Sequence, residues 1–387
     1  MPSDFDICVF PPSVPADFMG SITMLKRLYI DNYKCLTNFD IRFEELTLLL
    51  GANGCGKSAV FEVVGKLRDF IRGDARVGEL FPPTDLTHWS TKPEQHFELE
   101  IDISGGRCLY RLVVEHKPEI RFVRVMREEL LFDDKPLFAF EDGEVQIYRD
   151  DHAEGPKYSF DSTRSGLAPV VDGNDNTRLC AFRNQVRRFV TLFLEPKRMR
   201  SGSDFDADML SSGGENFASW YQGRLQEDPR RILDAMDQLS VVLPGFVDLR
   251  LVQKGSDYRE LQVEFSSADV GSRSIYRFDQ LSDGQRALIV LYFLLFADDA
   301  ERTLFLDEPD NYITLPELQP WLAELEDGCG DTLPQTVLIS HHPEAIDFLS
   351  DKAVWLGRDP ESHTQVLDVT NNTMLKTSEL YAQGLAP

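Results

Sequence analysis

The chain has 387 residues, 42% hydrophobic and 27% charged, an ordinary globular composition with enough apolar mass for a sizeable core and room for two or three domains. Its net charge of −25 excludes a surface that coats nucleic acid non-specifically, which needs clustered Lys and Arg; any such contact is left to local basic residues or to a partner. No apolar run approaches the roughly 20 residues of a membrane span, no signal-peptide pattern opens the chain, and the six cysteines are scattered without a C-x-x-C pair, so the expectation is a cytoplasmic protein with reduced thiols.

Residues 1–23 carry four prolines and no clear period, and read as an N-terminal extension. From Met24 three strands are predicted, the second with Phe39, Ile41 and Phe43 alternating with polar residues and the third an apolar run, Leu46, Leu48, Leu49 and Leu50. Tyr33 and Lys34 fall in the turn between the first two. After the apolar run comes Gly51-Ala52-Asn53-Gly54-Cys55-Gly56-Lys57-Ser58-Ala59, then a helical pattern with Val60, Val64 and Leu67 on one face. Strand, glycine-rich loop and helix form a phosphate-binding loop in its expected context. Glycines let backbone N–H groups turn toward phosphate oxygens, and the helix points its positive end at the anion. Lys57 is placed to neutralise β- and γ-phosphates, and Ser58 to offer its hydroxyl to Mg²⁺.

A less regular stretch with Pro82, Pro83 and Pro93 leads to five short strands, near 97–103, 108–114, 121–132, 136–140 and 144–148. They are expected to form an antiparallel meander. Residues 149–176 are polar and read as a loop. A helix is expected from Asn176, with Phe182, Val186 and Phe189 on one face, and 191–196 allows a strand. Residues 215–243 read as two helices broken at Asp228-Pro229 and ended by Pro244-Gly245, and 249–253 with 260–265 as a hairpin pair.

Three further motifs follow in order. Leu281-Ser282-Asp283-Gly284-Gln285 opens a long apolar helix, and a Ser and a Gly at a helix N-terminus make a second anion site. Residues 303–310, TLFLDEPD, form an apolar strand ending in carboxylates. Asp307 is placed for the Mg²⁺ shell, and Glu308 to orient and deprotonate a water. Residues 336–344, TVLISHHPE, form another apolar strand, ending in His341 and His342.

Taken together, the loop at 51–58, the segment 281–285, Asp307-Glu308 and His341 resemble the ATP-binding-cassette class of ATPases, within it the SMC/RecF-type branch that includes the OLD-like ATPases described as AAA-family. Asn32-Tyr33-Lys34 matches that branch's N–F/Y–K/R turn, DEPD its Walker B, and SHHPE its T-H-S-P-E segment, which makes His341 the switch histidine. The resemblance spans Met24 to about Arg358. It implies an α/β P-loop NTPase, an ABC-type ATPase head over 24–387. Lobe I, 24–175, would hold the phosphate loop and an antiparallel β subdomain; 176–275 would be a mainly helical insertion; 276–387 would carry the signature, Walker B and switch histidine. It implies ATP and Mg²⁺ as cofactors. Residues 51–59 and Lys34 would bind nucleotide, Ser58 and Asp307 the metal, and Lys57, Glu308 and His341 would be catalytic. Ser282, Asp283, Gly284 and Gln285 would serve the site of a second copy in a head-to-tail ATP-sandwiched dimer or higher assembly.

This sequence departs from the pattern in places. The signature reads LSDGQ, Ile313-Thr314-Leu315-Pro316 replaces L-H-P, and Gln95 is a weak match for a Q-loop glutamine. The stretch between Lys57 and Ser282 is too short for the long SMC coiled coil. A transporter's nucleotide-binding subunit is the competing class; the β-meander and the missing coupling glutamine argue against it. A non-turnover ATP sensor is opposed by Glu308. Relatives in this branch act in DNA repair or anti-phage defence, which makes the expected partner a separately encoded effector, a nuclease or toxin. Residues 210–214 also fit L-S-x-G-x but read as a loop and cap. The basic residues Lys197, Arg198 and Arg200, with Arg183, Arg187 and Arg188, allow a local nucleic-acid contact but in so acidic a chain read first as ion-pair partners.

Overall fold

The computed structural model describes residues 23–120, 122–266, 272–298, 301–358, 363–367 and 376–383; apart from Thr23, the N-terminal extension lies outside them. In chain order the elements are β1 (Met24–Asp31), β2 (Phe39–Arg42), β3 (Leu46–Gly51), α1 (Lys57–Arg72), α2 (Val77–Leu80), β4 (Glu94–Ile103), β5 (Gly106–Lys117), β6 (Phe122–Phe132), β7 (Lys135–Glu141), β8 (Glu144–Tyr148) and β9 (Glu154–Ser159). Next come α3 (Thr177–Arg187), β10 (Phe189–Leu192), β11 (Gly202–Ser203), α4 (Phe217–Glu227), α5 (Pro229–Val242), β12 (Phe246–Gln253), β13 (Arg259–Ser266) and β14 (Arg273–Arg277). The chain finishes with α6 (Asp283–Phe296), β15 (Thr303–Asp307), α7 (Leu315–Gly328), β16 (Gln335–Ile339), α8 (Pro343–Phe348), β17 (Ala353–Arg358), β18 (Thr364–Leu367) and α9 (Thr377–Ala382).

A central sheet in the order β10-β15-β16-β3-β17-β18 is parallel except for its last pair. Its inner strands β15, β16 and β3 are buried on both faces, as their apolar runs demand. Side-chain parity divides them between two cores. Leu49, Phe305, Val337 and Ile339 face one, together with Val60, Val64 and Leu67 of α1. Leu48, Leu50, Leu304, Leu306 and Leu338 face the other, together with α6. Phe305 is a hub of the first core, with edge-on contacts to Phe61 at 5.4 Å and Phe189 at 5.7 Å between ring centres.

Over the first core lies an eight-stranded antiparallel sheet, β2-β1-β4-β5-β6-β7-β8-β9, the expected meander extended at both ends. The fold is therefore the expected α/β head with an antiparallel β subdomain. Between residues 176 and 275 lie α3, α4 and α5, but also β10, an edge strand of the central sheet, and most of a small third sheet, β11 to β14. Asp228 caps α5 by accepting from Arg230 N at 3.0 Å, with Pro229 at the first helical position, so the predicted break falls between α4 and α5.

Two expectations need correction. The stretch 149–176 is not all loop, because β9 pairs with β8. It was hidden because an exposed edge strand has no apolar alternation, and Pro156 sits in the register shift where no ladder N–H is needed. Phe189 is not on the α3 face: α3 ends at Arg187, and Phe189 opens β10 opposite Thr303.

Candidate functional site

The register of the central sheet brings the motifs together. Leu49 of β3 lies beside Ile339 of β16, and Ile339 beside Asp307 of β15. The strand ends that precede the phosphate loop, Glu308 and His341 are thus side by side, the usual place for ligand binding in a parallel sheet.

The phosphate loop leaves β3 at Gly51 and enters α1 at Lys57. Gly54 and Gly56 are left-handed, with φ 78° and 99°, a region where side chains are strained. A Cβ on Gly56 would also stand 2.9 Å from Cys35 Sγ. The loop's carbonyls are braced from many directions. Lys57 Nζ donates to Gly51 O at 2.6 Å and Ala52 O at 3.3 Å. Arg358 donates to Gly54 O at 3.1 Å, and Thr364 Oγ1 to Cys55 O at 2.8 Å. Tyr381 donates to Gly51 O at 3.1 Å. Lys57 is buried along its stem, so its ammonium is held on the loop at the mouth of α1.

Ser58 and Asp307 line the same cavity. Burial pushes the Asp307 carboxyl above its usual range and the neighbouring Glu308 charge adds to this, against the pull of Ser58, Lys57 and His341. A hydroxyl and a half-buried carboxylate are hard oxygen donors that suit Mg²⁺. The glycine cradle, Lys57 and this donor pair fit a Mg–nucleotide.

Glu308 has φ 48°, a conformation that costs a non-glycine residue roughly 1–2 kcal/mol. The surroundings enforce it. Its N–H donates to Ile339 O at 2.9 Å. Its carboxylate meets His341 Nε2 at 3.0 Å and accepts from Asn311 Nδ2 at 2.7 Å. The turn aims Glu308 out of the strand and sets it on His341. Ser340 Oγ, at the end of β16, donates to Asp310 at 2.7 Å and ties that strand end to the turn after β15. His342 instead caps α8, accepting from Glu344 N at 3.2 Å.

The signature segment makes its side-chain hydrogen bonds and its ion pair within itself. Ser282 caps α6 in a capping box with Gln285, accepting from Gln285 N at 3.2 Å. Asp283 pairs with Arg286 at 2.6 Å. Ser282 is exposed, and its hydrogen bonds stay within its own cap. Ile313-Thr314-Leu315-Pro316 is a helix start: Thr314 shares a capping box with Glu317.

Other sequence candidates have different neighbours. Lys34 pairs with Glu62 of α1. Gln95 is fully buried, donating to Asn32 O at 3.0 Å and meeting His116 Nε2 at 2.9 Å, so its amide is spent inside lobe I. Residues 210–214 form a loop, Ser211 donating to Glu215 at 2.6 Å, that leads into α4. Three of the six basic candidates are ion-paired: Arg198 with Glu195 and Glu215, Arg183 with Asp172, Arg188 with Glu301. Sequence reasoning missed Asn311, Arg358, Thr364 and Tyr381. Only Asn311 carries a local signal, a turn amide three residues after Glu308.

Residues 24–105 match the AAA ATPase domain family. An SMC head solved bound to the C-winged helix domain of ScpA aligns over 91% of this chain and 99% of its own, with a TM-score of 0.56 and 11% identity. The SMC head domain from Thermotoga maritima aligns over 89% and 99%, at TM-score 0.44 and 13% identity. An SMC head with an extended coiled coil, bound to the C-terminal domain of ScpA derived from Pyrococcus furiosus, aligns over 90% and 96%, at 0.49 and 12%. No curated protein matches the chain. Among the described residues, no helix is long and apolar enough to cross a membrane. The AAA ATPase match over residues 24–105 and the alignment of nearly the whole chain with the first of these heads agree on the fold: an α/β P-loop head like that of SMC proteins.

Proposed function

We propose that the protein binds ATP with Mg²⁺ and hydrolyses it, and that two copies close head to tail on the nucleotide. The observation that carries this reading is the convergence of Lys57, the Ser58–Asp307 pair and the Glu308–His341 pair at adjacent strand ends. The residues at 51–59 cradle the phosphates, and Lys57 holds the β- and γ-phosphate charge. Ser58 and Asp307 hold Mg²⁺, which would neutralise charge that develops on the phosphates. Glu308 takes the proton of the attacking water, and His341 fixes the orientation of its carboxylate. Lys34 lies one ion pair away on Glu62 and becomes a phosphate contact only if that pair opens.

For the second copy, the exposed Ser282, with Asp283, Gly284 and Gln285 at the positive end of α6, offers an anion site to the neighbour's γ-phosphate. Exposed Tyr312 and Leu315 supply apolar surface close to it. Closing on ATP and opening after hydrolysis make the head a switch. We read it as the regulator of a separate effector, a nuclease or toxin, in DNA repair or anti-phage defence. The free thiols of the described cysteines fit a cytoplasmic setting. A nucleic-acid contact would rest on the few basic side chains that ion pairs leave free.

The deciding experiment is phosphate release from ATP by the purified chain and by Glu308→Gln. Mg-dependent release that Glu308→Gln removes is expected. No release, or release that survives the substitution, overturns the reading.

A further inference from the structure

Tyr381 lies in α9, and no motif points to it. Its hydroxyl donates to Gly51 O at 3.1 Å, the carbonyl that also accepts from Lys57 at 2.6 Å. The same hydroxyl meets Nδ1 of His341. Its ring lies 5.6 Å from the His341 ring and 6.1 Å from Trp355. α9 is anchored for this task. Ser378 donates from both N and Oγ to Asp347, each at 2.9 Å, Lys376 lies 3.5 Å from the same carboxylate, and Leu380 is buried.

A phenol has one proton to give. Donated to Gly51, it leaves the Tyr381 oxygen as an acceptor, so the hydrogen between Tyr381 and His341 belongs to Nδ1. Burial pushes the phenol up to about 12, so the proton stays in place at neutral pH. Nε2 lies 3.0 Å from the Glu308 carboxylate, which is also an acceptor, so that contact needs a second ring hydrogen, on Nε2. The ring that satisfies Tyr381 and Glu308 together carries a hydrogen on each nitrogen.

We propose that Tyr381 is the positioning residue of His341: its hydroxyl oxygen accepts from Nδ1–H, favours the ring that carries a hydrogen on both nitrogens, holds Nε2–H against the Glu308 carboxylate and, through the shared Gly51 carbonyl, keeps it in register with Lys57. The proposal rests on the ATPase reading above. It makes α9 part of the active site. Undocking α9 would release His341 and remove one of the two donors on Gly51 O, while Lys57 keeps Gly51 O and Ala52 O, so the helix bears on turnover more than on nucleotide binding.

Tyr381→Phe keeps the ring and removes the hydroxyl. ATP affinity and KM should stay within about twofold, while kcat falls by roughly 10- to 100-fold, the usual consequence of a misplaced group. A second readout is independent of turnover. With ¹⁵N-labelled histidine, only seven rings contribute, and His341 is assigned by its loss in His341→Gln. The wild-type ring should carry hydrogen on both Nδ1 and Nε2 in the nucleotide-free chain, and Tyr381→Phe should change the Nδ1 signal. Ser378→Ala, which loosens α9 at a distance, should move both readouts in the same direction and carries the test if Tyr381→Phe melts early. A bare Nδ1 in the wild type, or a Tyr381→Phe chain that matches wild type in kcat and in its ring spectrum, overturns the proposal. If the wild type hydrolyses no ATP while the ring signals behave as expected, the ATPase reading fails and the placement of His341 by Tyr381 stands.

Discussion

Gly284 of α6 packs so closely on Tyr312 that a Cβ at position 284 would stand 2.6 Å from the Tyr312 carbonyl. The signature and the turn after Glu308 are therefore in contact within one copy, through a place that accepts no side chain. In an open helix, Gly→Ala stabilises by roughly 0.5–1 kcal/mol. Here the clash is with backbone, so Gly284→Ala should instead destabilise by about 1–3 kcal/mol, the usual range for overpacking. A urea titration decides, because the two effects have opposite signs.

Lys57→Ala should abolish nucleotide binding. Lys57 is the cation that the loop itself holds on its carbonyls at 2.6 and 3.3 Å, and replacing it leaves only backbone groups to face the phosphates. Calorimetric titration with Mg–ATP checks this. Wild-type affinity in the variant would show that 51–59 is not the nucleotide loop.

Glu128 predicts a pH dependence of stability far from the site. Its fully buried carboxyl accepts from Tyr110 at 2.9 Å, Ser165 at 2.6 Å and Gly166 N at 2.8 Å. Burial nonetheless pushes it up to about 7. In the unfolded chain it titrates near 4.3. Between those values the folded chain holds a proton that the unfolded chain does not. Its contribution to stability is thus fully present below about 4.3 and is lost as pH rises through about 7, a change of roughly 4 kcal/mol. Glu128→Gln keeps the shape and removes the titration. The urea midpoint of wild type relative to Glu128→Gln should therefore fall between pH 5 and pH 8; a constant difference would refute the assignment.

Much of this site was legible because its parts are short and contiguous. Gly51 to Ser58 declares itself in one run, and Asp307-Glu308 stands at the end of an unbroken apolar strand. Parity along β3, β15 and β16 then leaves few ways to stack those strands. What stayed hidden depends on contacts distant in sequence. Tyr381 meets Gly51 only because α9 docks on Asp347, and Thr364 meets Cys55 only because β18 closes the sheet edge. Neither residue type nor local spacing encodes such an encounter. Gln95 shows the opposite error: a glutamine near the expected place, whose amide is consumed by Asn32 and His116.

Glu308→Gln should trap an ATP-bound dimer, and Ser282→Arg should prevent it. Gln keeps the size of Glu308 and its hydrogen bond with Asn311, but cannot take a proton. Binding should persist while hydrolysis falls by roughly 10²–10⁴-fold, and the sandwich accumulates because hydrolysis is its exit. Ser282 is exposed and bonded only within its own cap. Arg there should therefore spare ATP binding by a single copy yet block closure, at a cost of about 1 kcal/mol for the lost cap, which a thermal melt registers separately. The decisive experiment mixes chains. Lys57→Ala combined with Ser282→Arg can assemble one complete composite site, the second chain giving its phosphate loop and the first its signature. The double variant Lys57→Ala/Ser282→Arg mixed with wild type can assemble none beyond those of wild-type pairs. Recovery of ATPase activity in the first mixture alone supports a shared site. Wild-type turnover by Ser282→Arg sinks the head-to-tail mechanism. So does a Glu308→Gln chain that sediments identically with and without ATP, once a pre-formed larger assembly has been excluded by sedimentation of the nucleotide-free chain.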